Sequence, residues 1–261
     1  MMDKVGYEII DQVGVVTLNR PEKLNAMDAD VFRLLREIGL EAANDTGARA
    51  ILVKAEGRSF SAGIDLAFLA GGLNRDGVPS QNDIALLQDS FTVFEQAPKP
   101  VVAAIQGHCL GGGLQLAIAC DIRVASTDAG FSAMEVRWGI IPDLGGTERI
   151  PRLIGLGRAK DMLLTGRVVS AAEAHAWGLV NSLTDYERLH DEAMELAVTL
   201  ASGPPLALAR AKELANGASD RTVSDGLLEE IRAQQSLLAT EDFKEAIQAG
   251  LAHRKPAYKG R

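Results

Sequence analysis

The stretch VVAAIQGHCLGGGLQLAIACDIRVA, residues 101–125, decides the fold. Residues 101–105 are a short apolar run bounded by Pro100 and a glycine-rich turn, the mark of a buried strand. Residues 112–120 read as a helix and residues 121–125 as the next strand, so strand, turn, helix and strand follow within 25 residues. Such spacing places the two strands parallel in one sheet. Three glycines at the strand–helix junction, Gly111 to Gly113, leave backbone N–H groups bare at a helix start. An anion, or an oxygen that becomes one during reaction, is suited to that place. A tight turn with close helix–strand packing uses glycines equally well. No Gly-Lys-Ser/Thr follows, which excludes a P-loop, and the spacing is not GxGxxG.

Outward from this segment the same alternation continues. Residues 7–12 and 14–19 are Val-, Ile- and Thr-rich strands around a short turn. Asp28 is placed to cap a helix through residue 44, with Val31, Leu34, Leu35, Ile38 and Ala42 at helical spacing. AILVKA, residues 50–55, is a buried strand, and residues 82–97 form an amphipathic helix that ends before Pro98 and Pro100. The fold class is therefore α/β with a largely parallel sheet. Beyond about residue 183 the pattern becomes helical at 185–201, 205–216, 223–239 and 242–252. The expected organisation is an α/β core over residues 1–195 and a helical region over 196–261. The latter has too little core to stand alone and packs on the core or on a neighbouring subunit.

Bulk properties exclude several classes of function. The chain has 261 residues, 47% hydrophobic, and a net charge of −8, which argues against a nucleic-acid or anionic-membrane footprint. Only Cys109 and Cys120 occur, with no CxxC or Cys/His cluster, so no metal is expected. The N-terminus lacks a signal or transit pattern, no apolar run spans a membrane, and a cytoplasmic protein is expected.

Two further segments could carry chemistry. RSFSAGIDL, residues 58–66, is a second small-residue turn that presents N–H groups. It holds no GxSxG elbow, and His108, His175, His190 and His253 are too scattered to suggest a triad. MEVRWGIIPDLGGT, residues 134–147, sets Glu135 and Asp143 among apolar side chains, where a carboxyl keeps its proton to higher pH and suits proton transfer. Taken singly, Asp143 also reads as a turn residue in Pro-Asp-x-Gly-Gly, and Glu135 as a solvated loop residue.

In order along the chain, LNRPEKLNAM (18–27), SFSAGIDL (59–66), QGHCLGGGLQLAIACDIRVAS (106–126), GIIPDLGGTERIPRLIG (139–155) and the C-terminal EDFKEAIQAGLAHRKPAYKGR resemble the crotonase (enoyl-CoA hydratase/isomerase) superfamily. The resemblance covers essentially the whole chain. It implies a spiral of ββα units with a C-terminal helical region that oligomerises as a trimer or a dimer of trimers. It implies an acyl-CoA thioester substrate and no separate cofactor, coenzyme A being part of the substrate.

By that resemblance the amides of Ile64 and Gly112 form an oxyanion hole for the thioester carbonyl. Ala62 and Gly63 lie near the adenine, and Gly111 and Gln115 count among the substrate-binding positions. Lys23, Lys255, Tyr258 and Lys259 are candidates for contacts to coenzyme A. Family hydratases carry glutamates at the positions of Gln115 and Glu135. An amide at 115 can orient water but cannot exchange a proton, so the hydratase pair is broken. Glu135 and Asp143, eight residues apart, resemble the proton-transfer pair of dienoyl-CoA isomerases, although the third acid of those enzymes falls on Gln115. An Asp after Ile-Pro also resembles ring-forming isomerases of phenylacetate breakdown. The expectation is an isomerase converting 3,5-dienoyl-CoA to 2,4-dienoyl-CoA in fatty-acid or related acyl-CoA breakdown. The alternatives are a hydratase and a non-catalytic CoA-ester-binding protein.

Overall fold

The computed structural model describes residues 3–71 and 79–261. Strands β1 (Val5–Ile10) and β2 (Val13–Leu18) form an antiparallel hairpin, turned by Asp11 and Gln12 with positive φ. Helix α1 (Ala29–Asn44) starts where Asp28 accepts the amide of Val31, a cap of about 1 kcal/mol. Then come β3 (Ala50–Ala55), α2 (Leu66–Gly71) and α3 (Gln81–Gln96), the last opened by a reciprocal Ser80–Asp83 capping box. The central stretch supplies β4 (Val101–Ile105), β5 (His108–Leu110), α4 (Gly112–Ala117), β6 (Ile122–Ser126) and β7 (Gly130–Ser132). Helix α5 (Gly146–Thr165), β8 (Val169–Ser170), α6 (Ala171–Trp177) and β9 (Ser182–Thr184) follow. The chain finishes with α7 (Leu189–Ala201), α8 (Pro205–Asn216), α9 (Val223–Leu238) and α10 (Glu241–Leu251).

Among the described residues, one sheet has the order β1-β2-β3-β4-β6-β9, parallel except for β1, and a second has the order β5-β7-β8. The chain passes between the two sheets, β4 then β5 and β6 then β7; α4 returns it from β5 to β6, and α5, β8 and α6 carry it from β7 back to β9. Single bridges extend the small sheet, Ser61 to Cys109 and Met27 to Ile64. This is the expected spiral of ββα units, and the bridges bring the turns after β3 and β5 side by side.

The large sheet is covered on both faces. Val13, Val15, Ala50, Leu52, Val102 and Ala104 point to one side and pack against Leu189, Ala193, Ala197 and Ala201 of α7. Their neighbours Val16, Ile51, Val53, Val101 and Ala103 point to the other, into a core with Phe32, Phe91 and Phe94. Each valine, leucine, isoleucine or phenylalanine among them contributes roughly 1.5–3 kcal/mol of burial. Both cysteines are unpaired and buried there, with thiols pushed up by burial, Cys120 to about 12.

The boundary expected at residue 195 falls inside α7, because its small-residue face is a layer of the core. The appended helices begin at Pro205. Helices α8 and α9 bury none of their residues within the chain, and Val223, Leu227, Leu228 and Ile231 stay exposed along one side of α9. No helix among the described residues is long and apolar enough to cross a membrane.

Candidate active site

Two backbone amides face a cavity of about 340 Å³ whose walls include Lys23, Ala62, Gly63, Ile64, Gly111, Gly112 and Glu135. Three N–H groups beside them are spent: Gly63 donates to Ser61 Oγ, Asp65 to the Met27 carbonyl and Gly111 to the Ser132 carbonyl. The amides of Ile64 and Gly112 have no backbone carbonyl partner among the described residues. Glycine is what allows the approach. Gly63 has φ +96°, and a Cβ there would lie 2.8 Å from the Leu110 carbonyl and 3.4 Å from the Gly112 nitrogen. Gly111, with φ +53°, opens α4 and leaves Gly112 as its first residue.

The Ile64 turn is held from behind by residues that the sequence reading missed. Arg20 donates to Asp65 Oδ2 at 2.7 Å and to the Ala26 carbonyl at 2.9 Å. Asn25 is buried in a left-handed conformation at φ +53° and bonds Arg20 N, Glu56 O and Ser59 O. Ser61 Oγ donates to the Asn25 carbonyl. The segment LNRPEKLNAM is therefore the clamp on the first half of the hole. Its signal in the sequence was only the resemblance, since Arg20 and Asp65 lie 45 residues apart.

Glu135 stands on the other side, in a short 3-10 turn (Met134–Trp138) closed by Gly139 at φ +73°. It is 4% exposed, so the solvated alternative does not hold. One carboxylate oxygen, Oε1, accepts from Gln115 Nε2 at 2.7 Å, while Oε2 is buried with no partner. Burial pushes its pKa up to about 7 and the charge of Asp143 adds to the rise, while its own backbone N–H and the Gln115 amide pull it down. Asp143 is half-buried, and burial raises its pKa too. Its carbonyl accepts from Gln88 of α3 at 2.6 Å, so the turn is pinned from outside as well.

The sequence-derived set is thus largely brought together. Gln115 lies behind the wall, bonded to Glu135 rather than lining the cavity, and Asp143 lies within electrostatic reach of Glu135 without lining it. Tyr258 and Lys259 are not brought to it within one chain. The Tyr258 carbonyl accepts from Arg49 at the entry to β3, the end opposite the Ile64 turn, and the Lys259 amide donates to Asp242 of α10. Leu66, Leu69, Met134, Trp138 and Ile140 add apolar walls that suit an acyl chain, with Asp65, paired to Arg20, among them. Among the described residues no cluster of His, Cys, Asp or Glu is arranged to hold a metal ion.

Comparison with known proteins shows the family and the fold. A family model described as Enoyl-CoA hydratase/isomerase matches residues 8–261. The putative enoyl-CoA hydratase/isomerase YngF of Bacillus subtilis is 38% identical over 251 residues, 96% of this chain and 95% of that one. A mitochondrial Delta(3,5)-Delta(2,4)-dienoyl-CoA isomerase of Dictyostelium discoideum is 33% identical over 95% of this chain and 87% of its own. The crystal structure of an enoyl-CoA hydratase from Bacillus anthracis superposes with a TM-score of 0.93 at 34% identity, covering 99% of this chain and all of that one.

Proposed function

The chain belongs to the enoyl-CoA hydratase/isomerase family, and from that premise we propose that it is an acyl-CoA isomerase working through an enolate. The thioester carbonyl sits between the amides of Ile64 and Gly112. Glu135 Oε2 takes the α-proton, and the electron pair moves into the carbonyl, leaving an oxyanion that the two amides stabilise. Two such donors supply roughly 5–8 kcal/mol. The enolate is then reprotonated further along the chain. No group beyond these side chains and amides is required, coenzyme A being part of the substrate.

The observation that carries this reading is the Gln115–Glu135 contact. The site holds one buried carboxylate with a free oxygen and, bonded to its other oxygen, an amide that cannot activate water by taking its proton. Asp143 supplies the second titratable group, which favours the longer shift from a 3,5-dienoyl to a 2,4-dienoyl ester over a 1,3-shift run by Glu135 alone. Asp143→Asn is expected to slow 3,5-dienoyl-CoA isomerisation about 10²-fold and to leave a 3-enoyl to 2-enoyl shift nearly intact, read by ultraviolet absorbance. Equal retention of both activities makes Asp143 a turn residue only.

A second reading is hydration of 2-enoyl-CoA, favoured by the word hydratase in most of the relatives' names. It requires water activation that Glu135 would have to perform alone. A non-catalytic CoA-ester binder would not need a buried carboxyl held near neutrality.

The assembly is proposed to be a trimer or a pair of trimers built on residues beyond about 195. The exposed apolar side of α9 continues in α10 with Phe243, Ile247 and Leu251. Light scattering at micromolar concentration is expected to give at least three times the 27.8 kDa chain mass, and a monomer would contradict it.

A further inference from the structure

Gln115 is wholly buried, and both polar atoms of its amide are hydrogen-bonded inside the protein. On one side Nε2 donates to Glu135 Oε1 at 2.7 Å. On the other, Oε1 accepts two backbone amides, Leu144 N at 2.8 Å and Gly146 N at 3.0 Å. Those amides belong to the first and third residues after Asp143. A Cβ on Gly146 would stand 3.0 Å from Gln115 Oε1 and 2.6 Å from Pro142 Cβ, so the turn reaches this distance only with glycine there. One side chain thereby joins α4, the 3-10 turn of Glu135 and the turn of Asp143.

We infer that Gln115 is the positioning residue of this site, holding Glu135 by Oε1 so that Oε2 alone is presented to substrate, and fixing the Asp143 turn against it. The inference rests on the reading of Glu135 as the proton carrier. The amide orientation is unambiguous, since two N–H donors on one side require the oxygen and a carboxylate on the other requires the NH₂. A glutamate at 115 could accept the same two amides. Its other oxygen would then meet Glu135 Oε1 at hydrogen-bond distance, which needs a proton held between them. Glutamine meets both demands at every pH. Its hydrogen bond goes to the charged form of Glu135 and favours ionisation against the opposing effect of burial. The residue that breaks the hydratase pair therefore keeps the remaining base usable near neutral pH.

The test is the titration of Glu135, followed by carboxyl carbon-13 NMR in the full-length protein, alongside the pH profile of kcat/KM. Gln115→Met removes donor and acceptor together. It is expected to move the Glu135 midpoint and the acid limb up by about one pH unit or more, with CoA-ester binding within about threefold of wild type. Gln115→Glu, protonated at 115, restores the donor and is expected to return the acid limb toward the wild-type position. If Gln115→Met does not fold, Gln115→Asn, too short to reach both partners, is expected to give the same upward shift. An unchanged Glu135 midpoint in the folded variant overturns the inference. The NMR midpoint needs no turnover. A wild type inactive on every acyl-CoA ester therefore defeats the proposed function, whereas an unshifted midpoint defeats the role of Gln115.

Discussion

Glu135→Gln is expected to lower isomerase turnover by about 10²–10⁴-fold while CoA-ester binding changes little. The amide keeps the shape and can still accept from Gln115 Nε2, so the loss isolates proton transfer from Oε2. In the wild type the base form appears as pH rises through about 7, and kcat/KM is expected to climb across that range and level off above it. Stability runs the other way. The folded pKa lies above the ordinary value of 4.5, so native protein binds more protons than unfolded between those values, and stability falls as pH rises from about 4.5 to about 7. The neutral variant escapes that loss, which amounts to roughly 3 kcal/mol. Glu135→Gln is therefore expected to melt several degrees above wild type at pH 8 and at about the same temperature at pH 4. A variant both fully active and no more stable at pH 8 would show Glu135 to be a packed bystander.

Gly63→Ala is expected to cost about 10²–10³ in kcat/KM, comparable to the loss of one oxyanion donor. Alanine at φ +96° is strained, and its Cβ would meet the Leu110 carbonyl at 2.8 Å, a backbone atom that cannot swing aside. Relief requires the turns after β3 and β5 to separate, which pulls the Ile64 and Gly112 amides out of register. Gly155→Ala separates strain from displacement. It has φ +76° with nothing within 4 Å of its Cβ, far along the chain in α5. It is expected to lose comparable stability and keep full kcat/KM. Equal activity losses in the two variants would mean that the hole is not where the amides of Ile64 and Gly112 place it.

What was legible in the sequence follows from the range of the forces involved. Strands at residues 50–55 and 101–105 and the helix at 205–216 match the structure to the residue, because apolar runs and their Pro and polar boundaries are local signals. The helix from Gly146 to Thr165 had no such signal, since Pro151 lies within it and Gly155 breaks its dihedrals. The small sheet escaped because strands of two or three residues show no period. At the site, the glycines and the two carboxylates stood out by type. The clamp of Arg20 on Asp65 and the hydrogen bonds of Gln115 did not, being contacts across 45, 20, 29 and 31 residues. The basic tail, a candidate for coenzyme A contacts by resemblance, lies away from the cavity within one chain, with the Tyr258 carbonyl and the Lys259 amide bonded to Arg49 and Asp242.

The central claim is that an amide at 115 turns this site from water addition to double-bond migration. The measurement that reads it most directly is wild-type turnover of a 3,5-dienoyl-CoA beside a short 2-enoyl-CoA, with products separated by mass and diene absorbance. Isomerisation is expected to exceed hydration by about 10²-fold or more, with the isomerised product unchanged in mass. Hydration at a rate equal to or above isomerisation would show that Glu135 activates water without a carboxylate partner, and the isomerase assignment would fall.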